Sequence, residues 1–152
     1  MLSIYISRPI SGRAFSEVFA YYDRVDAALT EMGYHVLSPM MGKDHLRGPD
    51  VADPMGANHP MSCPQAIFRR DAWMVAQADV VYVNLRLAGT GAVSIGCTME
   101  LAWAYQAGKY VVLVMEDENI HRHAFTLQAA TVVWPTEREA MQSLATLARR
   151  TE

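Results

Sequence analysis

The chain has 152 residues, 13 basic against 16 acidic side chains, a net charge of −3 and 51% hydrophobic content. That is enough for one domain with an ordinary core, which excludes a disordered chain, and the charge balance excludes the basic field that grips a nucleic-acid backbone. No apolar run approaches the ~20 residues of a membrane span, the chain opens on no signal-peptide pattern, and Cys63 and Cys97 form neither a CxxC pair nor a disulfide lattice. The expectation is one small soluble cytoplasmic domain over residues 1–152.

In chain order, Leu2–Ser7 reads as a strand ended by Pro9 and Gly12. From Arg13 to Met32, the residues Phe15, Val18, Phe19, Tyr22, Val25, Leu29 and Met32 recur at three- and four-residue spacing. This predicts a helix with one buried stripe, stopped at Gly33. Tyr34–Ser38 is a second strand, closed by Pro39. Over 39–63 the residues Pro39, Gly42, Gly48, Pro49, Pro54, Gly56 and Pro60 forbid a long regular element, so a long functional loop is expected there. Ser62 with Pro64 opens a helix to about Ala78, and Val80–Leu85 is a near-continuous apolar strand, the kind buried on both faces of a parallel sheet. Thr98–Ala107 is a short helix ended by Gly108, and Tyr110–Met115 another buried strand. His123–Ala130 reads as helix, Thr131–Val133 as a brief strand, and Thr136 with Glu139 as the capping box of the last helix. The alternation predicts a doubly wound α/β fold, flavodoxin- or Rossmann-like, with five parallel strands, flanking helices and right-handed crossovers.

Ligands in such sheets bind outside the carboxyl ends of the strands. Four segments qualify: Ser7–Arg13, the 39–63 loop, Arg86–Glu100 and Glu116–His123. In the third, Gly89, Gly91 and Gly96 let backbone approach a ligand, although their spacing is not that of a dinucleotide GxGxxG. Glu100 is expected in the first turn of the following helix, where the dipole favours an ionised carboxylate. Ser11, Gly12 and Arg13 at the mouth of the first helix suit an anion, or are a plain N-cap and a solvated arginine. Asp71 lies mid-helix beside Arg69 and Arg70, ordinarily a surface charge. His121 and His123 have no third residue that completes a metal site. Met40, Met41, Met55 and Met61, four of 10 methionines, crowd the irregular loop; they are flexible core filler or, with Trp73, the lining of a pocket for a flat apolar group.

Taken together, Tyr5 on the first strand, Arg70-Asp71 ahead of A-D-V-V, S-x-G-x-x-x-E-L at Ser94–Leu101 and the GKYVVLV strand resemble the nucleoside 2-deoxyribosyltransferase superfamily over roughly residues 2–145. That superfamily includes enzymes that exchange bases between deoxynucleosides and hydrolases that cut the N-glycosidic bond of nucleoside 5′-monophosphates. The resemblance implies Glu100 as nucleophile, Asp71 as the group assisting departure of the base, and Tyr5 as the residue positioning the nucleophile. Ser94 occupies a position that is aspartate in the transferases and serine in the hydrolases. An aspartate repels a dianionic phosphate where a serine can donate to it, so the hydrolase reading is preferred and base exchange is the alternative. Ser7, Ser11, Gly12, Arg13, Ser94, Gly96 and His123 are the candidate substrate-binding residues. The resemblance further implies a homodimer or higher oligomer whose subunits complete each other's sites with the segment after the fourth strand, where His121, Arg122 and His123 form a candidate cationic cluster.

The chemistry is coherent in itself. A carboxylate attacks the anomeric carbon through an oxocarbenium-like state, and a second, protonated carboxyl group helps the base leave. Such a reaction needs no metal or organic cofactor, and its partner is a small nucleotide or nucleoside. A phosphoribohydrolase of the cytokinin-activating type would carry PGGxGTxxE, which is absent. A module that binds nucleotides without turning them over would not need both Asp71 and Glu100.

Overall fold

The apolar alternation does produce an α/β sheet. In the computed structural model, which describes residues 1–86 and 91–149, the elements are β1 (Ser3–Ser7), α1 (Phe15–Glu31), β2 (His35–Leu37), a 3-10 turn at Asp44–Leu46, α2 (Pro64–Gln77), β3 (Val80–Asn84), α3 (Ile95–Gln106), β4 (Tyr110–Val114), α4 (Ala124–Ala129), β5 (Val132–Trp134) and α5 (Glu137–Arg149). The strands form one sheet in the order β2-β1-β3-β4-β5, every pair parallel. This is the flavodoxin-like order, and its topological switch point lies between β1 and β3. No helix among the described residues is long and apolar enough to cross a membrane.

Period-two alternation divides the core in two. Ile4, Ile6, Tyr82, Val112 and Val114 pack with α1 (Val18, Phe19, Tyr22, Val25, Leu29) and α5 (Ala140, Leu144) on one face. Tyr5, Val81, Val83, Val111 and Leu113 pack with α2 (Met74, Val75) and α3 (Cys97, Leu101, Ala104) on the other. Because both faces are covered, β3 is buried along its whole length. Gly33 ends α1 at φ +95°, a conformation that favours glycine, as its place in the sequence predicts.

Two helix starts differ from expectation. Helix α1 begins at Phe15 behind Ala14, which has no side-chain cap; Ser11 is not its N-cap. The long loop caps it instead, with Phe15 N–H donating to Asp50 O (2.8 Å) and Ser16 N–H to Gly48 O (2.8 Å). Helix α3 begins at Ile95, three residues before Thr98, because the Ser94 hydroxyl accepts from Cys97 N–H and caps it.

The 39–63 segment is an irregular loop, as expected, with only the short 3-10 turn inside it. It braces itself: the His45 and His59 rings stack with centroids 3.6 Å apart, and His45 Nε2 lies 3.0 Å from Ser62 Oγ.

Candidate active site

Alternation along β1 points Tyr5 and Ser7 to the α2/α3 face, while Ile4 and Ile6 point away. Tyr5 Oη donates to Glu100 Oε1 (2.8 Å) and Ser7 Oγ to Glu100 Oε2 (2.5 Å), so both carboxylate oxygens are held by strand hydroxyls. Glu100 is 8% exposed and Asp71, arriving from α2, is 6% exposed. The sequence places Glu100 in a first helical turn, but with α3 capped at Ser94 it lies in the second. The dipole acts mainly within one turn, so the hydroxyls of Tyr5 and Ser7 are what favour its ionised form.

Burial, then the charge of Asp71, pushes Glu100 up to about 8, against the pull of Ser7, Tyr5 and Lys43. Burial pushes Asp71 up to about 6, opposed by Lys43 and Arg70. Between these values the pair carries one proton. Lys43 and Arg70 favour the charge of Asp71, while Lys43 and the two hydroxyls favour that of Glu100 against burial and the charge of Asp71. Asp71 Oδ1 lies 3.6 Å from Arg70 Nε, close enough for attraction but without a hydrogen bond.

Sequence reasoning missed Lys43. It is 4% exposed on the long loop, and its pKa is lowered by burial while the charges of Asp71 and Glu100 oppose that shift. A lone lysine among prolines and glycines reads as solvated, and only the folded path of the loop brings it inward.

On the other side, the β3–α3 connection is tied to the β4–α4 loop. Asn119 Nδ2 donates to Leu85 O (2.7 Å) and Ser94 N–H donates to His121 Nε2 (2.8 Å). His121 Nδ1 and Asn119 Oδ1 are 2.8 Å apart, so the histidine proton sits on Nδ1 and the ring is neutral. Burial lowers the pKa of His121. The cationic cluster read from His121–His123 is therefore corrected: His121 is a buried tether, Arg122 pairs with Asp117 (3.2 Å), and His123 is the exposed N-cap of α4. No group of three metal-ligating side chains forms around these histidines or elsewhere among the described residues. Gly96 lies open in the first turn of α3, whereas Gly89 lies outside the described residues.

This tether carries a prediction. A neutral buried histidine favours folding only while it stays neutral, so its contribution is present at higher pH and is lost as pH falls through the ordinary value of about 6.5. His121→Ala should cost roughly 1–3 kcal/mol at pH 8 by orphaning Ser94 N–H, and the deficit should shrink on acidification. Thermal melts of both proteins at pH 5 and 8 check it.

The first loop differs most from expectation. Gly12 N–H donates to Ala52 O (2.9 Å) and Arg13 N–H to Ile10 O (3.2 Å). With Phe15 and Ser16 capped by the long loop, no backbone cradle for an anion remains at the mouth of α1. Ser11 is exposed. Arg8 and Arg13 line one cavity with Pro9, Glu17, Val18 and Tyr22. Both Nε atoms are buried without a partner. Burial and the nearby Arg8 lower the pKa of Arg13. Arg8 lies over the Tyr21 ring at 3.8 Å, and its backbone N–H and C=O bond Tyr22 Oη (3.0 and 3.1 Å). Tyr22, which lines this cavity, also feels the charge of Glu100.

The family model described as nucleoside 2-deoxyribosyltransferase matches residues 4–142. The chain belongs to this family. Its members act on nucleoside N-glycosidic bonds. Among solved structures it is similar to the 2-desoxiribosyltransferase from Leishmania mexicana (18% identity, TM-score 0.62, 96% of this chain and 98% of that one). It is also similar to the CMP N-glycosidase BcmB of Clostridium botulinum (15%, 0.57, 95% and 98%), and to a conserved protein from Enterococcus faecalis V583 (16%, 0.53, 97% and 87%). At these identities the likeness concerns the fold. No curated protein matches the chain.

Of the residues that carried the resemblance to the deoxyribosyltransferase family, Tyr5, Asp71 and Glu100 are brought together, and Ser94 lies at the head of the helix that carries Glu100. The methionines do not gather into one lining. Met40 is core on the α1/α5 face, while Met41, Met55, Met61 and Trp73 are exposed.

Proposed function

We propose that the chain cleaves the N-glycosidic bond of a nucleoside 5′-monophosphate, releasing the free base and a sugar 5-phosphate. The observation that carries this reading is the buried Glu100 carboxylate, bonded at both oxygens by Tyr5 and Ser7 and exposed to the charge of the buried Asp71. Glu100 attacks the anomeric carbon as the bond to the base breaks, and Asp71 gives its proton to the base. Positive charge developing beside Glu100 favours its ionised form, which moves the shared proton to Asp71. Water then adds to the anomeric carbon, breaks the ester and returns its proton to Asp71. Asp71 thus serves first as acid and then as base.

The preference for a monophosphate is supported by Arg8 and Arg13, whose Nε atoms are buried without a partner in the cavity they line together. Ser94 adds a hydroxyl where a carboxylate would repel a phosphate, and Ser11, Gly12 and Gly96 are further candidate contacts. In this reading a second copy completes the site, with His123 as its contribution. The assay is base release from a panel of nucleosides and 5′-monophosphates, each with and without an acceptor base, using the parent chain and His123→Ala. Release from monophosphates in water alone is expected, with weaker substrate affinity in the variant. Turnover only with an acceptor would instead establish base exchange between deoxynucleosides, and turnover of neither would leave a binding module.

A further inference from the structure

A lysine is seldom buried unless its charge is paired. The Lys43 ammonium nevertheless makes no hydrogen bond and no ion pair within 4.0 Å among the described residues. What it faces is a cluster of other buried groups: Asp71 and Arg70 of α2 and Glu100 of α3. The remaining titratable groups around the pair are Tyr5 of β1, Tyr22 of α1 and Cys97 of α3, all of them neutral at ordinary pH. The charge of Lys43 acts on both carboxylates, and that of Arg70 on Asp71.

Its place depends on how the loop is fastened. Arg70 grips both limbs, with Nη1 donating to Met61 O (2.8 Å) and Nη2 to Pro39 O (3.5 Å). Between those limbs the loop runs along the start of α1, through Ala52 N–H to Arg13 O (2.8 Å) and the capping carbonyls of Gly48 and Asp50.

We propose that Lys43 is a positioning residue of this site: the loop carries its ammonium in as the counter-charge that lets one of Asp71 and Glu100 stay ionised beside the other, and the grip of Arg70 keeps it there. The catalytic consequence rests on the double-displacement reading; the electrostatics do not. A buried carboxylate pair left without a cation would hold its protons more tightly, and the nucleophile would be protonated over a wider range of pH.

The experiment follows the carboxyl carbons of Asp71 and Glu100 by ¹³C NMR against pH, in the whole chain without substrate. In Lys43→Met both titrations should move upward by about one pH unit, and Lys43→Arg should restore most of the shift. Base release measured on the same proteins should fall about twofold in kcat at pH 7 and about tenfold near pH 5, with KM nearly unchanged and the pH–rate profile displaced in the same direction. Arg70→Lys separates the grip from the charge: it keeps a cation beside Asp71 but cannot bond both limbs as the guanidinium does, so upward movement of the carboxyl titrations in that variant reports displacement of the loop. Unmoved carboxyl titrations in folded Lys43→Met overturn the proposal whatever activity does, and Lys43→Gln gives the same reading should the methionine variant fail to fold. Unmoved carboxyl titrations in Arg70→Lys overturn the assigned grip. Moved titrations in a chain that releases no base from any nucleotide uphold Lys43 and overturn the double displacement instead.

Discussion

Glu100→Gln will release base at least ~10⁴-fold more slowly than the parent chain, the scale seen when a covalent nucleophile is removed, and it will be the more stable protein. Glutamine keeps an oxygen to accept from Tyr5 and an amide to donate to Ser7, so the two hydroxyls that hold the native side chain stay satisfied. What disappears is a carboxyl group pushed up to about 8 by burial and by Asp71. Such a group binds its proton more tightly folded than unfolded, so it weakens folding as pH rises above the ordinary glutamate value near 4.3, and most fully above about 8. Melting temperatures of the two proteins should coincide near pH 4 and separate by several degrees at pH 8, at ~2–4 °C per kcal/mol for a chain of this size. A mutation that only damaged the fold would lower the melting temperature along with the activity. Retention of full turnover in Glu100→Gln would end the double-displacement reading. A sugar adduct trapped on intact Glu100 and identified by mass spectrometry is the matching positive result.

Replacing Arg8 and Arg13 with methionine, singly, should lower kcat/KM for a nucleoside 5′-monophosphate by about 10- to 100-fold each, the usual worth of a hydrogen bond to a charged group. The same variants should leave turnover of the corresponding nucleoside unchanged. The contrast follows from where these side chains stand. Their Nε atoms are buried and unpartnered, one guanidinium leans on the Tyr21 ring, and they share a cavity bordered by Tyr22. Methionine can still pack on that ring, so loss of the charge is separated from loss of contact. Inorganic phosphate should inhibit the parent chain competitively and the variants less. An equal fall on nucleotide and nucleoside would mean that the arginines hold the fold and not a phosphate.

How much of this was legible in the sequence depended on the range of the interactions involved. The five strands and their helices were legible because period-two and period-3.6 patterns are local, and the apolar runs at Val80–Asn84 and Tyr110–Val114 fit a buried parallel sheet. The Tyr5, Asp71 and Glu100 trio was legible through the motifs that carry it, and the strand hydroxyl of Ser7 follows Tyr5 by one pleat. The start of α3 was misplaced because Ser94 caps a helix whose first residues, isoleucine and glycine, are poor helix formers. The anion cradle at α1 was misread for a different reason. The carbonyls that fill it come from Gly48, Asp50 and Ala52, and nothing near Gly12 in the sequence announces them. Lys43 and Arg8 were passed over because a lysine in a proline-rich loop and an arginine before a proline both read as solvated. Their burial is decided by the path of the chain around them. His121 was read as a charge because the backbone N–H that keeps it neutral lies 27 residues away.

The long loop meets the rest of the chain largely through main-chain atoms, with Pro39 and Met61 O toward Arg70, Gly48 and Asp50 O toward α1, and Ala52 toward Gly12 and Arg13, while Arg47 adds a side-chain pair to Asp23 (2.8 Å). A carbonyl oxygen is the one group that every residue type supplies. The loop's attachment is therefore set by its backbone and a few inward side chains, Met40 and Arg47 among them, while Met41, Val51 and Met55 are exposed. Those positions can drift in sequence without unfastening the segment, so descendants of this chain could retailor what the loop presents to a substrate while Lys43 and the carboxylates beneath it stay fixed.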